Sequence, residues 1–561
     1  MLNKSVEKTI SLFLLIGVPF TSLFLITDSV TDPVNVTKLF AAGAVGFGVF
    51  AIAITYGARQ MWESSKALVI AAVLFILASL NAVLNSVTPL TTNLYGVYGR
   101  QTGLICYLIL TLVALGASLL REKKSFERLI WALLFTGAVN VLYCGWALIF
   151  GDFIGWSNPY GNILGLFGNP DFISAFLGMF ISGTAGFALS SKHSWIYRGP
   201  LILLAIAALV EIKKSHAVQG LVVTGAGLAI VGFYFVRSKF SKNIFTIGYL
   251  AVVGMIGGFA LAGALQKGPL TSLIYKTSVS LRGQYWAAGI RMGQDHPLTG
   301  VGMDSYGDWY RRTRSEYAAT TLPGPKTITN AAHNVVIDFF SYGGYPLLLT
   351  YLGILAIGVW AIIRVTLRNQ AFDGTFVALA ATWASYELQS IISINQVGLA
   401  IWGWVLVGAL VAYEYSTRST AEESAKGRAV KQKEYIFSPQ LVGGIGILIG
   451  ALIAVPPLSA DMKWRSALKA QNLQAVEAAL TPSYLAPRDS QRLAQAVILM
   501  EQSKLYDLSY KYAKEGVEFN PDYFDAWRVL YSLSKSSQAD KTDAVANLKR
   551  LDPLNPDVLG Q

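Results

Sequence analysis

The sequence predicts an all-α, polytopic membrane helix bundle with a helical C-terminal tail, and three observations carry that prediction. Of 561 residues, 53% are hydrophobic and only 14% are charged, where a soluble domain carries about 25% charged residues. Mean hydropathy is +0.47. About thirteen apolar runs approach or exceed the roughly 18 residues that a helix needs to cross some 30 Å of hydrocarbon.

The runs lie near 10–26, 39–57, 67–84, 102–120, 129–150, 171–190, 199–213, 219–236, 244–265, 345–366, 375–391, 396–414 and 440–458. The seventh is short and the eleventh carries Glu387. The first is not read as a cleavable signal: no small-residue cleavage site follows it, and further spans continue behind it. With the N-terminus cytoplasmic, the inner segments hold twenty Lys and Arg and the short outer loops hold four. That asymmetry follows the positive-inside rule. It predicts a multi-pass plasma-membrane protein whose long loop, 266–344, and tail both face outside. The tail carries thirteen basic and thirteen acidic residues, so the net charge of +12 is largely a topology signal. No nucleic-acid partner is expected.

Two domains follow: a membrane body over 1–458 and a tail over 459–561. In the tail, Pro487, Pro521 and Pro556 close similar stretches, LAPRDS, FNPDYF and LNPDVL, at spacings of 34 and 35 residues. A period near 34 with helical patterning resembles tetratricopeptide helix pairs, which bind partners. The other reading is a helical tail that packs on the membrane body. Cys106 and Cys144 are read as small packing residues, and no Cys/His spacing suits zinc. No metal and no cofactor are expected.

The polar chemistry collects in the loops predicted to face outside. Arg100, in LYGVYGRQTGLICYL, sits at a helix start; it is either an anion anchor or a snorkelling interfacial residue. GWSNPYGNILGLFGNPDF holds two Asn-Pro turns, with Asn169 able to donate to a sugar or phosphate and Asp171 reading as a helix cap. EIKKSHAVQG gathers Lys213, Lys214 and His216 on the outer side, against the charge trend. In LRGQYWAAGIRMG, helical spacing places Arg282, Trp286 and Ile290 on one face, as for an amphipathic helix lying on the membrane. Pro297, Gly300 and Gly302 break it, and a basic cluster of Arg311, Arg312 and Arg314 follows. His333 and Asn334 then stand at the membrane boundary. An imidazole there can take a proton from a hydroxyl.

Four of these stretches, in order, resemble the O-antigen ligase and O-antigen polymerase superfamily: G-x-x-R-x-x-G at Arg100, FGNPDF, the Arg282 stretch ending in HPLTGVG, and His333-Asn334 followed by Gly343-Gly344. The chain departs from the family in SHAVQG, where His216 stands in place of a common Arg and Lys213 or Lys214 would substitute. The resemblance implies glycosyl transfer at the outer face of the plasma membrane. The donor would be a glycan on undecaprenyl diphosphate, and the acceptor a hydroxyl of a glycan, lipid or protein. Arg282 and His333 would be catalytic, one as a cation for the leaving diphosphate and one as the base. Arg100, Asn169, Lys214, His216, Asn334 and Arg311 would bind substrate. With no DxD-like acidic pair, the expected reaction is metal-independent and inverting. Ligase and polymerase activities both fit, and the tail is the place for a protein partner. A lipid-linked glycan flippase is the competing class, but transporters place ionisable groups near the midplane, and these spans are nearly free of charge. A bare structural anchor for the tail would need no such loop.

Overall fold

The computed structural model describes residues 3–159, 161–190, 193–275, 277–423 and 436–559. Among them the only regular structure is helical, and ten helices are long and apolar enough to cross a membrane. The bundle opens with α1 (Lys4–Leu23) and α2 (Asn35–Leu84). α2 is 50 residues long but is broken at Ser65, where φ is −137° and ψ is 30°. Short α3 (Leu90–Tyr95) precedes α4 (Leu104–Ala117). Both halves of α2 run beside α4. Gly46 closes on Ile109 and Val49 on Gly116, Arg121 just past α4 donates to Ser64, and Phe75 is back beside Tyr107. The predicted runs 39–57 and 67–84 are therefore the two arms of one hairpin.

The remaining spans are α5 (Lys123–Phe150), α6 (Pro170–Ala188), α7 (Trp195–Lys214), α8 (Val218–Lys239) and α9 (Asn243–Ala264). The long loop then forms α10 (Thr271–Ile274), α11 (Thr277–Asp295), α12 (Tyr306–Thr313) and α13 (Glu316–Thr320). The bundle closes with α14 (Val335–Arg368), α15 (Gly374–Ile392), α16 (Val397–Glu423) and α17 (Pro439–Ala470). Each predicted run thus falls on a helix. Three of them are not separate members of the ten: the second arm of α2, the 14-residue α4, and α15, which carries Glu387. The apolar window of α16 is wholly buried and that of α9 wholly uncovered. α16 is the axis of the bundle, and α9 presents its side chains outward, as a lipid-facing helix does. Without a hydrophobic drive inside lipid, helices gain from close backbone approach. α2 and α17 use it: a Cβ on Gly450 would lie 2.0 Å from the Gly43 carbonyl.

Helix ends carry their own partners, since the first N–H groups of a helix lack intrahelical acceptors. Asn169, Asp373, Ser438 and Asp489 each accept such an N–H. Lys192, Lys426, Arg428, Lys431 and Lys433, which contributed to the charge asymmetry, lie outside the described residues.

α17 does not stop at 458. It runs unbroken to Ala470 despite Pro456 and Pro457. Pro456 has no N–H for the Leu452 carbonyl, and the Tyr484 hydroxyl donates to that oxygen instead. The tail continues as α18 (Leu473–Leu480), α19 (Ser490–Gln502), α20 (Tyr506–Phe519), α21 (Phe524–Ser532), α22 (Gln538–Leu551) and α23 (Pro556–Leu559). The pairs α19/α20 and α21/α22 begin just after Pro487 and Pro521, so the repeat of the sequence is a helix pair. Their faces close on Trp464, Val497, Trp527 and Leu530.

Candidate functional site

The loop-bearing end of the bundle is organised around a kink in α14. Gly343 and Gly344 leave helical geometry, with φ of +61° at Gly344. The break frees the carbonyls of Ser341 and Tyr342, and buried carbonyls need partners. The HPLTGVG turn supplies them: Val301 and Gly302 donate N–H at 2.8 and 3.0 Å, and Tyr345 donates back to the Pro297 carbonyl at 2.8 Å. The approach leaves no room for side chains. A Cβ on Gly344 would lie 2.3 Å from the Pro297 oxygen, and one on Gly300 2.2 Å from the Tyr342 backbone. These four glycines join the long loop to α14.

Two carboxylates then fix the two turns that carry Arg100 and His333. Asp304, fully buried, accepts the Val97 N–H at 2.8 Å and the Tyr342 hydroxyl at 3.1 Å. Burial pushes its pKa up, while the Val97 N–H and the field of Arg100 oppose that rise. Asp338 accepts the Ala332 N–H at 2.6 Å, one residue before His333. His333 itself sits at φ +59°, a conformation costly for a residue with a Cβ and held only where neighbours over-determine it. Asn334 follows as the cap of α14, its Oδ1 accepting from Val336 and Ile337 at 3.0 and 3.2 Å.

These turns converge. The His333 ring lies 5.7 Å from that of Tyr285 on α11. Its pKa falls to about 3, first through burial and then through the fields of Arg100 and Arg282. Arg282, one turn before Tyr285, is lowered by burial and held up by Asp171 at the start of α6. Arg100 donates from Nε to Asn330 Oδ1 at 3.1 Å. The imidazole is therefore neutral, beside two guanidinium groups and the start of α6. Arg100 and Asn169 also line a cavity of ≈ 580 Å³, shared with Thr31, Asp32, Trp156 and Arg465. Asn169 caps α6 by accepting the Asp171 N–H at 2.8 Å.

The other predicted residues sit elsewhere. Lys214 and His216 are exposed on the turn between α7 and α8, with His216 at φ +58°. That turn leads into α8, which packs on the first turns of α6 with Gly220 against Ser174. Neither residue lines the cavity. Arg311 faces the tail: it pairs with Asp552 at 2.9 Å and lies 4.0 Å over the Phe524 ring. The whole basic cluster follows it there, with Arg314 fully buried on Asp552 at 2.8 Å and Arg312 3.3 Å from Asp522. It is neither a solvated nor a lipid-facing surface.

α11 also differs from its expected face. Tyr285, Ala288, Gly289, Met292 and Gly293 are the buried set, and Ile290 is exposed. Gly289 and Gly293 let Ile337 and Phe340 of α14 approach closely, so this helix packs on the bundle. Cys106 and Cys144 are both free and buried. Among the described residues, no three His, Cys, Asp or Glu gather as a metal site.

Sequence reasoning missed Asp304, Asp338, Asn330 and Arg465. Asp304 and Asp338 did carry a signal, since each is a carboxylate within an apolar, Gly-rich stretch. Comparison with known proteins adds one finding: residues 174–352 match the family model described as O-Antigen ligase. The match runs from α6 into α14, so it contains Arg282 and His333 and leaves out Arg100 and the tail. No curated protein matches the chain.

Proposed function

From the premise that its 174–352 segment places this chain in the O-antigen ligase superfamily, we propose a specific transfer reaction for a membrane glycosyltransferase of polysaccharide assembly. The donor is a glycan on undecaprenyl diphosphate and the acceptor is a hydroxyl of another glycan, a lipid or a protein. The reaction takes place on the extracytoplasmic side of the plasma membrane, with the N-terminus cytoplasmic. The observation that carries this reading is the convergence of His333, on a turn fixed by Asp338 and against the Tyr285 ring, with Arg100 and Arg282 close enough for their fields to reach its imidazole.

The acceptor oxygen attacks the anomeric carbon while the bond from that carbon to the diphosphate breaks. The acceptor proton passes to the His333 imidazole, and the electron pair leaves on the diphosphate. Arg282 and Arg100 stabilise the charge that develops there, as preorganised cations do in a water-poor site. A single displacement inverts the anomeric centre. A divalent metal has no step to perform.

The depressed pKa of His333 has a further role in this scheme. With the site empty, burial and then the fields of two cations hold the imidazole neutral and weakly basic. A bound diphosphate offsets the two cations, and the pKa rises because that part of the effect is cancelled. The base strengthens once the donor is seated.

Lys214 and His216 line the approach to α8 and would meet a long glycan, not the reacting atoms. Arg311 would act through the tail. The deciding experiment removes the gene and examines surface glycans. Unattached lipid-linked chains would establish a ligase, shortened chains a polymerase, and unchanged glycans would sink both.

A further inference from the structure

The C-terminal tail contains five arginines, and four have carboxylate partners. Arg488 pairs with Glu515 at 2.7 Å, Arg492 with Asp461 at 3.2 Å, Arg528 with Asp525 at 2.8 Å and Arg550 with Asp522 at 2.8 Å. Arg465 alone of the five has no ion pair among the described residues, and its buried Nε, like those of Arg488 and Arg492, has no hydrogen-bond partner. A buried donor left unmade is costly and calls for an explanation.

Its position supplies one. Arg465 lies one turn beyond Asp461 on α17, on the same helix face. Asp461 accepts the N–H groups of Thr31 and Asp32 at 2.7 and 2.9 Å, which seats the loop between α1 and α2 against α17. Arg465 thereby lines the same cavity as Arg100. The one carboxylate in that lining, Asp32, already accepts the N–H groups of Val34 and Asn35 at 3.0 and 2.9 Å. Arg465 thus adds a second guanidinium group to a lining in which Asp32, the one carboxylate, is already engaged by backbone N–H groups. Trp156 also lines the cavity, and an aromatic face suits a sugar ring.

We propose that Arg465 is a second substrate cation of the transfer site, supplied by the tail, which binds an oxyanion on the glycan substrate. This rests on the reading of Arg100 as an anchor of that site. A planar guanidinium fork suits either a phosphate or a carboxylate. Those two sources are the carrier diphosphate and an acidic sugar.

The test uses the full-length protein in nanodiscs, titrated with farnesyl diphosphate and separately with trigalacturonate. Arg465→Gln should weaken one of them about tenfold, leave the other within about twofold, and leave the melting temperature unchanged. Loss for trigalacturonate assigns an acidic sugar, and loss for farnesyl diphosphate assigns the carrier. Arg465→Lys should recover part of the lost affinity. Unchanged affinity for both probes, no binding of either by the native protein, or a lowered melting temperature in Arg465→Gln with equal loss for both would overturn the proposal. His333→Ala separates the two readings: it should bind both probes as the native protein does while losing transfer. If it kept full transfer, the assigned mechanism would fall and the Arg465 result would stand.

Discussion

The long loop sends arginines in two directions, and their surroundings differ sharply. Arg311, Arg312 and Arg314 turn toward the tail, where Asp522 and Asp552 pair with them. Arg282 turns toward Arg100 and His333, where the nearest compensating carboxylate acts only through its field. The sequence makes these residues look alike, as basic side chains in one polar segment. Pairing is what separates them. A charge satisfied inside the protein holds two domains together, and a charge left without a full partner is available to a ligand.

That contrast can be broken most sharply at the reacting end. His333→Ala and Arg282→Ala should each lower transfer by about 10²–10⁴-fold, the range for losing a general base or a preorganised charge. Membrane insertion and tail docking should stay intact. Full activity of either variant in a proteoliposome transfer assay would remove its assigned role.

At the paired end the expected loss is structural. Asp552→Ala strands two arginines, one of them fully buried, and should cost about 3–5 kcal/mol of docking stability. Arg311→Ala should cost less, because Arg314 keeps the carboxylate. Limited proteolysis of the tail would read both. A tail equally resistant in Asp552→Ala would show that the ion pairs do not hold it.

The pH profile gives a finer division. The pKa of His333 falls to about 3 in the free protein, so protonation begins well below the ordinary value near 6.5. kcat/KM, which reports the free enzyme, should stay level as pH falls through 6.5 and decline only in stronger acid. kcat, which reports the donor complex, should decline at higher pH, because the diphosphate cancels the two cations. Arg282→Gln should move the kcat/KM limb upward toward the ordinary value. Coincident limbs in the native enzyme would refute the coupling. The smallest expected effect is that of EDTA, which should leave transfer unchanged. Strong loss restored by magnesium would overturn the metal-free scheme.

The fold was legible because burial in lipid writes itself as long apolar runs, and each run became a helix. The 39–57 and 67–84 runs were readable as spans, but their union through Ser65 was not, since one residue of broken geometry has no compositional mark. Arg282, His333 and Arg100 were readable as uncommon polar residues at span ends. Asp304 escaped notice because its partner, the Val97 N–H, is distant in sequence, and Asp338 because it accepts a backbone N–H, of Ala332, that no side-chain pattern marks. The face of α11 was misjudged for a related reason. Periodicity ranked Trp286 and Ile290 as the apolar side, but close packing on α14 favours the glycines. The destination of Arg311 depended on Asp552, some 240 residues away, and local spacing holds no record of that.

The unbroken course of α17 has a mechanical consequence. At about 1.5 Å per residue, its 32 residues form a rod of roughly 48 Å with no hinge where membrane body gives way to tail. Its first half is clamped to α2 through Gly43 and Gly450, and its last turns seat the α1–α2 loop on Asp461 and carry Arg465 into the cavity wall. Tilting the last span in the bilayer therefore swings that wall. A change in bilayer thickness, or a load on the tail from a bound partner, would reach the transfer site as leverage.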